Sequence, residues 1–305
     1  MSEGIIHIKS ISELHQIIHY APAKHPLITI LDPSQVEITK EMVGQKFMYD
    51  MYYIGLKDRR CGMRYGRKHY DFADGVLVFT APQQVMAATV EMGKVAGESG
   101  WMLVFHPDLI RKYPLGQNIT KYNFFHYDNH EALHLSDQER KTLTDCVTKI
   151  QEEIDGRIDA HSEQVLVNNL DLMLSYCSRY YDRQFNTRAA ENSDVVSSVE
   201  HILNDYFEQE KIAELGQPTI QYCAEQVNLS PNYLSDLLKK ETGRTAKDHI
   251  NDFIIEKAKT MLLNSRDSIS GIAYTLGFNY PHYFSRLFKS KTGMTPAHYR
   301  DGGLI

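Results

Sequence analysis

The 305-residue chain holds a single tryptophan, ten prolines and four cysteines, and these scarcities narrow what it can be. Cys61, Cys146, Cys177 and Cys223 form no C-x-x-C pair, so zinc-finger spacing is absent. Cysteines so few and unpatterned build no disulfide framework and suit a reducing compartment. No run approaches the roughly 18 consecutive apolar residues of a membrane-spanning helix. The opening MSEGIIHIKSISELHQ has no basic stretch leading into an apolar one, so no secretory signal is read and a cytoplasmic location is expected.

What is present suffices for ordinary cores. Hydrophobic residues make up 42% and charged residues 24%, and the length allows two or three domains. The formal net charge of −6 conceals an asymmetry: between Leu229 and Arg300 stand eleven Lys/Arg against six Asp/Glu. An end this basic on an otherwise acidic chain is suited to a polyanion.

Two textures follow one another along the chain. HPLITIL (25–31), KFMYDMYYIGL (46–56), GVLVFTAP (75–82) and WMLVFHP (101–107) are rich in β-branched and aromatic residues and are separated by turn formers. Short strands at this spacing favour a barrel or sandwich. From Ser136 the period changes: Leu143, Val147, Ile150, Ile154 and Ile158 recur at helical steps, and Ser136 with Glu139 has the form of a capping box. A second helix is expected over about 163–180, carrying Leu166, Leu170, Leu172, Met173 and Leu174. The polar stretch DRQFNTRAAENSD (182–194) reads as a linker, and all that follows as helical.

The C-terminal part contains one pattern twice. An offset of fifty aligns Tyr233 with Tyr283, Ser235 with Ser285, Leu237 with Leu287, Lys239 with Lys289, Gly243 with Gly293 and Thr245 with Thr295. Upstream, Ile220, Cys223, Ala224 and Val227 match Ile269, Ile272, Ala273 and Leu276 at an offset of forty-nine, so the second copy has one more residue in its turn. Each copy is a short helix with one apolar stripe, a turn, and a second helix buried through Leu234, Leu237 and Leu238, or Phe284, Leu287 and Phe288. Gly243 and Gly293 are placed to end these helices, Thr245 and Thr295 to cap the next, and Pro296 stands where its missing N–H costs nothing. Two helices on a tight turn, with a polar outer face on the second, describe a helix-turn-helix whose second helix enters a major groove. A single copy would be matched by any helical hairpin; two copies and the basic surplus favour DNA. Between them, Ile250, Phe253, Ile254, Ala258, Met261 and Leu262 mark a connecting helix about 24 Å long, able to hold the reading helices about one DNA turn apart.

The stretch IAYTLGFNYPHYFSRLFKSKTGMTPAHYR resembles the signature of the AraC/XylS family of bacterial transcription regulators. The resemblance rests on Ile272, Ala273, Gly277, Phe278, Tyr283, Phe284, Arg286, Phe288, Lys289, Gly293, Pro296, Tyr299 and Arg300 and covers about the last hundred residues. GWMLVFHPDLI and EALHLSDQE look similar to the N-terminal half of many members. The family pattern implies an α+β multidomain protein. Residues 1–135 would form a cupin-like β-barrel, with helices over 136–182 suited to dimerisation. A linker at 183–194 would lead to an all-α tandem helix-turn-helix domain at 195–305, its motifs at about 219–243 and 268–293. It further implies base contacts from Asn232, Ser235, Asp236, His282, Ser285 and Arg286, and phosphate contacts from Lys239, Lys240, Tyr233, Tyr283 and Lys289. Arg286 suits guanine O6/N7 and Asn232 suits adenine, whereas Asp236 must accept from cytosine N4 or pair with Lys239 or Lys240. Many members carry Arg near the position of Ile254; this chain does not. The implied partners are double-stranded DNA, RNA polymerase, a small-molecule effector and a second copy of the chain, with transcription activation as the output.

For the N-terminal half, Tyr49, Tyr52, Tyr53, Tyr65 and Tyr70 are candidate effector-lining residues, or ordinary half-buried strand filling. A cupin-type metal enzyme is the rival reading, and a regulator without a ligand, controlled by abundance or a protein partner, is a third. His126, His130 and His134 lie at four-residue steps, but NFFHY reads as the end of a strand and EALHLS as the start of a helix, so no metal site or cofactor is expected. Cys61, in an Arg- and Gly-rich stretch, is either a redox-sensitive or a plain surface thiol.

Overall fold

The computed structural model describes residues 5–301, apart from 37–38, 40–41, 43–44, 58–74, 88–99, 129–130, 188 and 210. Tyr65, Tyr70, Cys61, His69 and His130 lie outside the described residues. The chain divides into two compact units, Met1–Asn186 and Thr187–Ile305.

Among its described residues the first unit contains two sheets. Strands β1 (Ile5–Ile8), β3 (Lys46–Tyr49) and β6 (Val85–Ala87) form one, in the order β1-β3-β6 with β1 parallel to β3. The other is antiparallel, in the order β2 (Ile28–Leu31), β7 (Trp101–Phe105), β4 (Tyr52–Lys57), β5 (Val76–Thr80), β8 (Leu133–His134). The apolar run at 46–56 is therefore two strands, not one: at Asp50–Met51 the chain leaves the first sheet for the second, with Met51 fully buried at the bend. Ile8, Leu31, Phe47, Met51 and Val104, joined by Ile11 and Leu14 of α1 (Ile11–Ile17), make the core that the sheets share. Among the described residues these strands do not close into a barrel.

Helix α4 (Asp137–Asp155) starts at Ser136, whose capping box with Glu139 is formed in both directions. Its stripe buries Leu143, Val147, Ile150 and Ile154, but Ile158 lies beyond its end and is exposed. Trp101 Nε1 donates to Thr144 Oγ1 at 3.2 Å, tying the sheet to this helix. The short helices α2 (Pro107–Ile110) and α3 (Pro114–Asn118) follow β7. Helix α5 (Ser162–Thr187) continues beyond the expected end at about 180. Its Gln184 side chain accepts from His134 N at 2.9 Å and donates to Ala132 O, completing the pairing of the short edge strand β8. Arg183 holds Glu139 at 2.8 Å and the His134 carbonyl, joining α5 to the start of α4.

The expected linker at 183–194 contains the boundary between the two units, after Asn186, and its described residues are helical, in α5 and in α6 (Ala189–Glu208). The reason is compositional, since this polar stretch contains no glycine or proline and polarity alone does not break a helix.

The second unit is helical. After α6 and α7 (Lys211–Leu215) come α8 (Ile220–Gln226) and α9 (Pro231–Thr242), then α10 (Ala246–Asn264), α11 (Ile269–Thr275), α12 (Pro281–Thr292) and α13 (Pro296–Arg300). One core runs through it, with Leu234, Leu238, Ile254, Ala258, Ile272, Phe284 and Phe288 all buried. Ile254, the departure from the family pattern, is fully buried.

Candidate nucleic-acid interface

The two repeats fold as two helix-turn-helix motifs, α8–α9 and α11–α12, built by matching local chemistry. Thr219 and Ser268 cap the first helices, accepting from Tyr222 N and Gly271 N. Pro231 and Pro281 open the second helices, where a missing N–H is harmless. Gly243 at φ +72° and Gly293 at φ +82° end them in the left-handed conformation, each N–H bonded to the carbonyl four residues back. Thr245 and Thr295 then cap α10 and α13. In the turns, Asn228 (φ +54°) and Gly277 (φ +74°) make the same left-handed step. Gly277 is held to glycine by space as well, because a Cβ there would sit 3.0 Å from Gln217 N.

Helix α10 packs against α8, α9, α11, α12 and α13, so it is the structural link between the motifs. At nineteen residues it spans about 28 Å. A polar clamp adds to its apolar contacts. Lys291, in the last turn of α12, reaches Asp248 at 3.0 Å and Asp252 at 2.9 Å, both on α10. Arg244, in the turn before α10, reaches Asp252 at 3.1 Å. Hydrogen bonds from the Thr245 hydroxyl and Lys291 hold the Asp248 carboxyl down at about 2, and the two carboxylates raise the Lys291 ammonium. None of these four residues was a sequence-level candidate; the available signal was two aspartates one helical turn apart in a connecting helix.

On α9, Asn232, Lys239 and Lys240 are exposed, and Ser235 and Asp236 are half-buried. On α12, His282, Arg286 and Lys289 are exposed and Ser285 is half-buried. Each second helix thus presents its predicted polar residues on the side away from Leu234/Leu238 or Phe284/Phe288. The aligned tyrosines differ. Tyr283 is 55% exposed, but Tyr233 is 4% exposed, in the helix against which α6 packs. Tyr233 is therefore a core residue, whereas Tyr283 is open to solvent.

Of the candidate effector tyrosines, the three described ones, Tyr49, Tyr52 and Tyr53, divide between two faces. Tyr49 and Tyr53 pack against the core shared by the sheets, and burial pushes the Tyr49 hydroxyl up to about 12. Tyr52 points the other way along the strand, stacked on Phe105 at 5.0 Å and edge-on to Phe125 at 4.9 Å. An open cleft of about 530 Å³ lies between the sheet and α4, bordered by Ile30, Trp101, Val147 and Gln151; Tyr49, Tyr52 and Tyr53 do not line it. His126 sits on a 3-10 turn rather than at a strand end, and His134 lies on β8, two residues before the Ser136 cap of α4. Among the described residues no three His, Cys, Asp or Glu side chains gather as a metal set.

Residues 223–302 match a family model described as a helix-turn-helix domain. Over 79 residues the chain is 37% identical to the transcriptional activator RhaS of Escherichia coli (strain SE11), covering 26% of this chain and 28% of RhaS. Over 83 residues it is 36% identical to the arabinose operon regulatory protein of Salmonella typhimurium, covering 27% and 30% of the two chains. The C-terminal region is an AraC/XylS-type helix-turn-helix domain. An uncharacterized HTH-type regulator, YobQ of Bacillus subtilis (strain 168), matches this AraC/XylS-type domain at 36% identity over 83 residues, 27% of this chain and 34% of YobQ. The chain thus spans about a third or less of the length of these relatives. Among solved structures, the C-terminal domain of AraT from Geobacillus stearothermophilus is 32% identical, with a TM-score of 0.31, covering 36% of this chain and 86% of that one.

Proposed function

We propose that this protein is a sequence-specific regulator of transcription that binds double-stranded DNA through both motifs of its AraC/XylS-type domain. The observation that carries the reading is the repeated motif itself: two capped second helices with polar outer faces, joined through one packed connecting helix. In this reading α9 and α12 enter successive major grooves. Asn232, Ser235, Asp236, His282, Ser285 and Arg286 face base edges, and Lys239, Lys240, Tyr283 and Lys289 hold phosphates. Tyr233 supports α9 from the core. The chain acts by binding rather than by catalysis, in the cytoplasm, and its output is activation through contact with RNA polymerase.

The N-terminal unit, on this reading, is a cupin-like sensor of a small molecule and the site of self-association. Support for the latter is the outer face of α5, where the apolar Val165 and Leu172 are exposed. Selection of bound duplexes from a random-sequence pool tests the central reading. The expected product is an enriched site with two conserved half-sites. A pool that gains no consensus would contradict it.

A further inference from the structure

The second motif carries an aromatic surface that its fold does not use. Tyr280 is 59% exposed and Tyr283 55% exposed at the start of α12. The ring of Tyr280 lies 5.7 Å from that of His282 and 6.0 Å from that of Tyr283, and the last two rings are 4.1 Å apart. The matching positions of the first motif are Ser230 and Tyr233, both buried. Ser230 is the N-cap of α9 and its hydroxyl accepts from Tyr233 N at 3.2 Å. Tyr280 occupies the N-cap of α12 and makes no side-chain cap bond. A poor capping residue is thus kept at a position where serine serves the sister motif, and it puts a large ring in water. The extra residue in this turn, between Phe278 and Pro281, is what displaces the pattern.

We propose that Tyr280 is a specificity-determining residue: its ring, set beside those of His282 and Tyr283, reads a thymine 5-methyl group in the major groove, next to the base read by Arg286. The proposal rests on the DNA-binding reading above. The N-terminal end of a reading helix approaches the base edges, and the thymine methyl is the one apolar feature there. Arg286 and Lys289 are exposed on the same helix, and the charge of Lys289 fits a flanking phosphate. The first motif, with Ser230 buried, has no such contact to offer.

The test begins with the tightest duplex selected by the wild-type chain from a random pool. Each dT is replaced singly by dU, which removes only the methyl, and affinities are measured for wild type, Tyr280→Ser and Tyr280→Phe. At one position in the second half-site the wild type should lose roughly fourfold, the worth of one buried methyl. Tyr280→Phe should keep that ratio. Tyr280→Ser should bring it to about one while its thermal stability stays level or rises, since the cap bond is regained. An unchanged dT/dU ratio in Tyr280→Ser, or no dT-sensitive position in the wild type, overturns the proposal while leaving DNA binding intact. Failure of the wild type to select any sequence overturns the DNA-binding reading, and this one with it.

Discussion

Lys291→Met removes the cation of the clamp between α12 and α10 while keeping most of the side chain's length. The ammonium lies 3.0 and 2.9 Å from two carboxylates, with the lysine side chain 26% exposed. Exposed pairs of this kind are each worth roughly 0.2–1 kcal/mol. The depression of the Asp248 carboxyl is no larger guide, because its first cause is the Thr245 hydroxyl and the Asp248 side chain is 42% exposed. Arg244 also still serves Asp252 after the change. A loss of about 1 kcal/mol is therefore expected, lowering the melting point of the helical unit by about 3–5 °C. The assay is thermal denaturation followed by far-UV circular dichroism, with fluorescence of Trp101, the single tryptophan, reporting the N-terminal unit. Acid adds a second signature. A carboxyl held at about 2 in the fold and near 3.8 when unfolded stabilises the fold above about pH 4 and loses that contribution as pH falls toward 2. Wild type should weaken across this window more steeply than Lys291→Met. A melting point unmoved by the substitution, or an equal fall when Asp248 and Asp252 are already Asn, would refute the clamp.

Arg286→Ala should cost about 1–3 kcal/mol of binding and relax preference at one base pair, measured by competition among single-base variants of a selected site. An equal loss on all sequences would refute base reading. Lys289→Ala should weaken binding uniformly and lower the magnitude of the salt slope by about 1 in a titration of log affinity against log salt. Leu172→Asp on the outer face of α5 should shift sedimentation from dimer to monomer without a fall in melting point, because the residue is 46% exposed. Phe288→Ala, in the fully buried core of the second motif, should cost roughly 3–5 kcal/mol of stability.

The C-terminal unit was largely legible in the sequence because its determinants are local. Apolar steps of three and four, a cap residue and a terminating glycine each act within one or two turns, and the doubling at offset fifty let one copy check the other. What escaped depended on distant neighbours. Tyr233 and Tyr283 share a letter and an alignment, yet α6 packs against the helix of the first and leaves the second exposed. The clamp of Lys291 likewise joins residues more than forty positions apart.

The N-terminal unit was less legible for the same reason. Strand β1 is four residues long and finds a parallel partner in β3, a pairing with no turn signal to announce it. The run 46–56 looked continuous because both strands are apolar and aromatic; only Asp50 hinted at the change of sheet. At 182–194 the polar stretch contains the boundary between the two units, after Asn186, but its polarity gave no sign that, with no glycine or proline, most of it would be helical. Of the five tyrosines proposed for a ligand, alternation along the strand puts Tyr52 and Tyr53 on opposite faces, a constraint of period two already present in the sequence.

The most direct test of the central claim is to insert base pairs between the two half-sites of a selected duplex and measure affinity. If α10 holds the two reading helices in fixed relation, five inserted base pairs turn the second half-site to the far side of the duplex. Binding should then fall to the level of a single half-site. Affinity that is unchanged by the insertion would contradict simultaneous reading by both motifs.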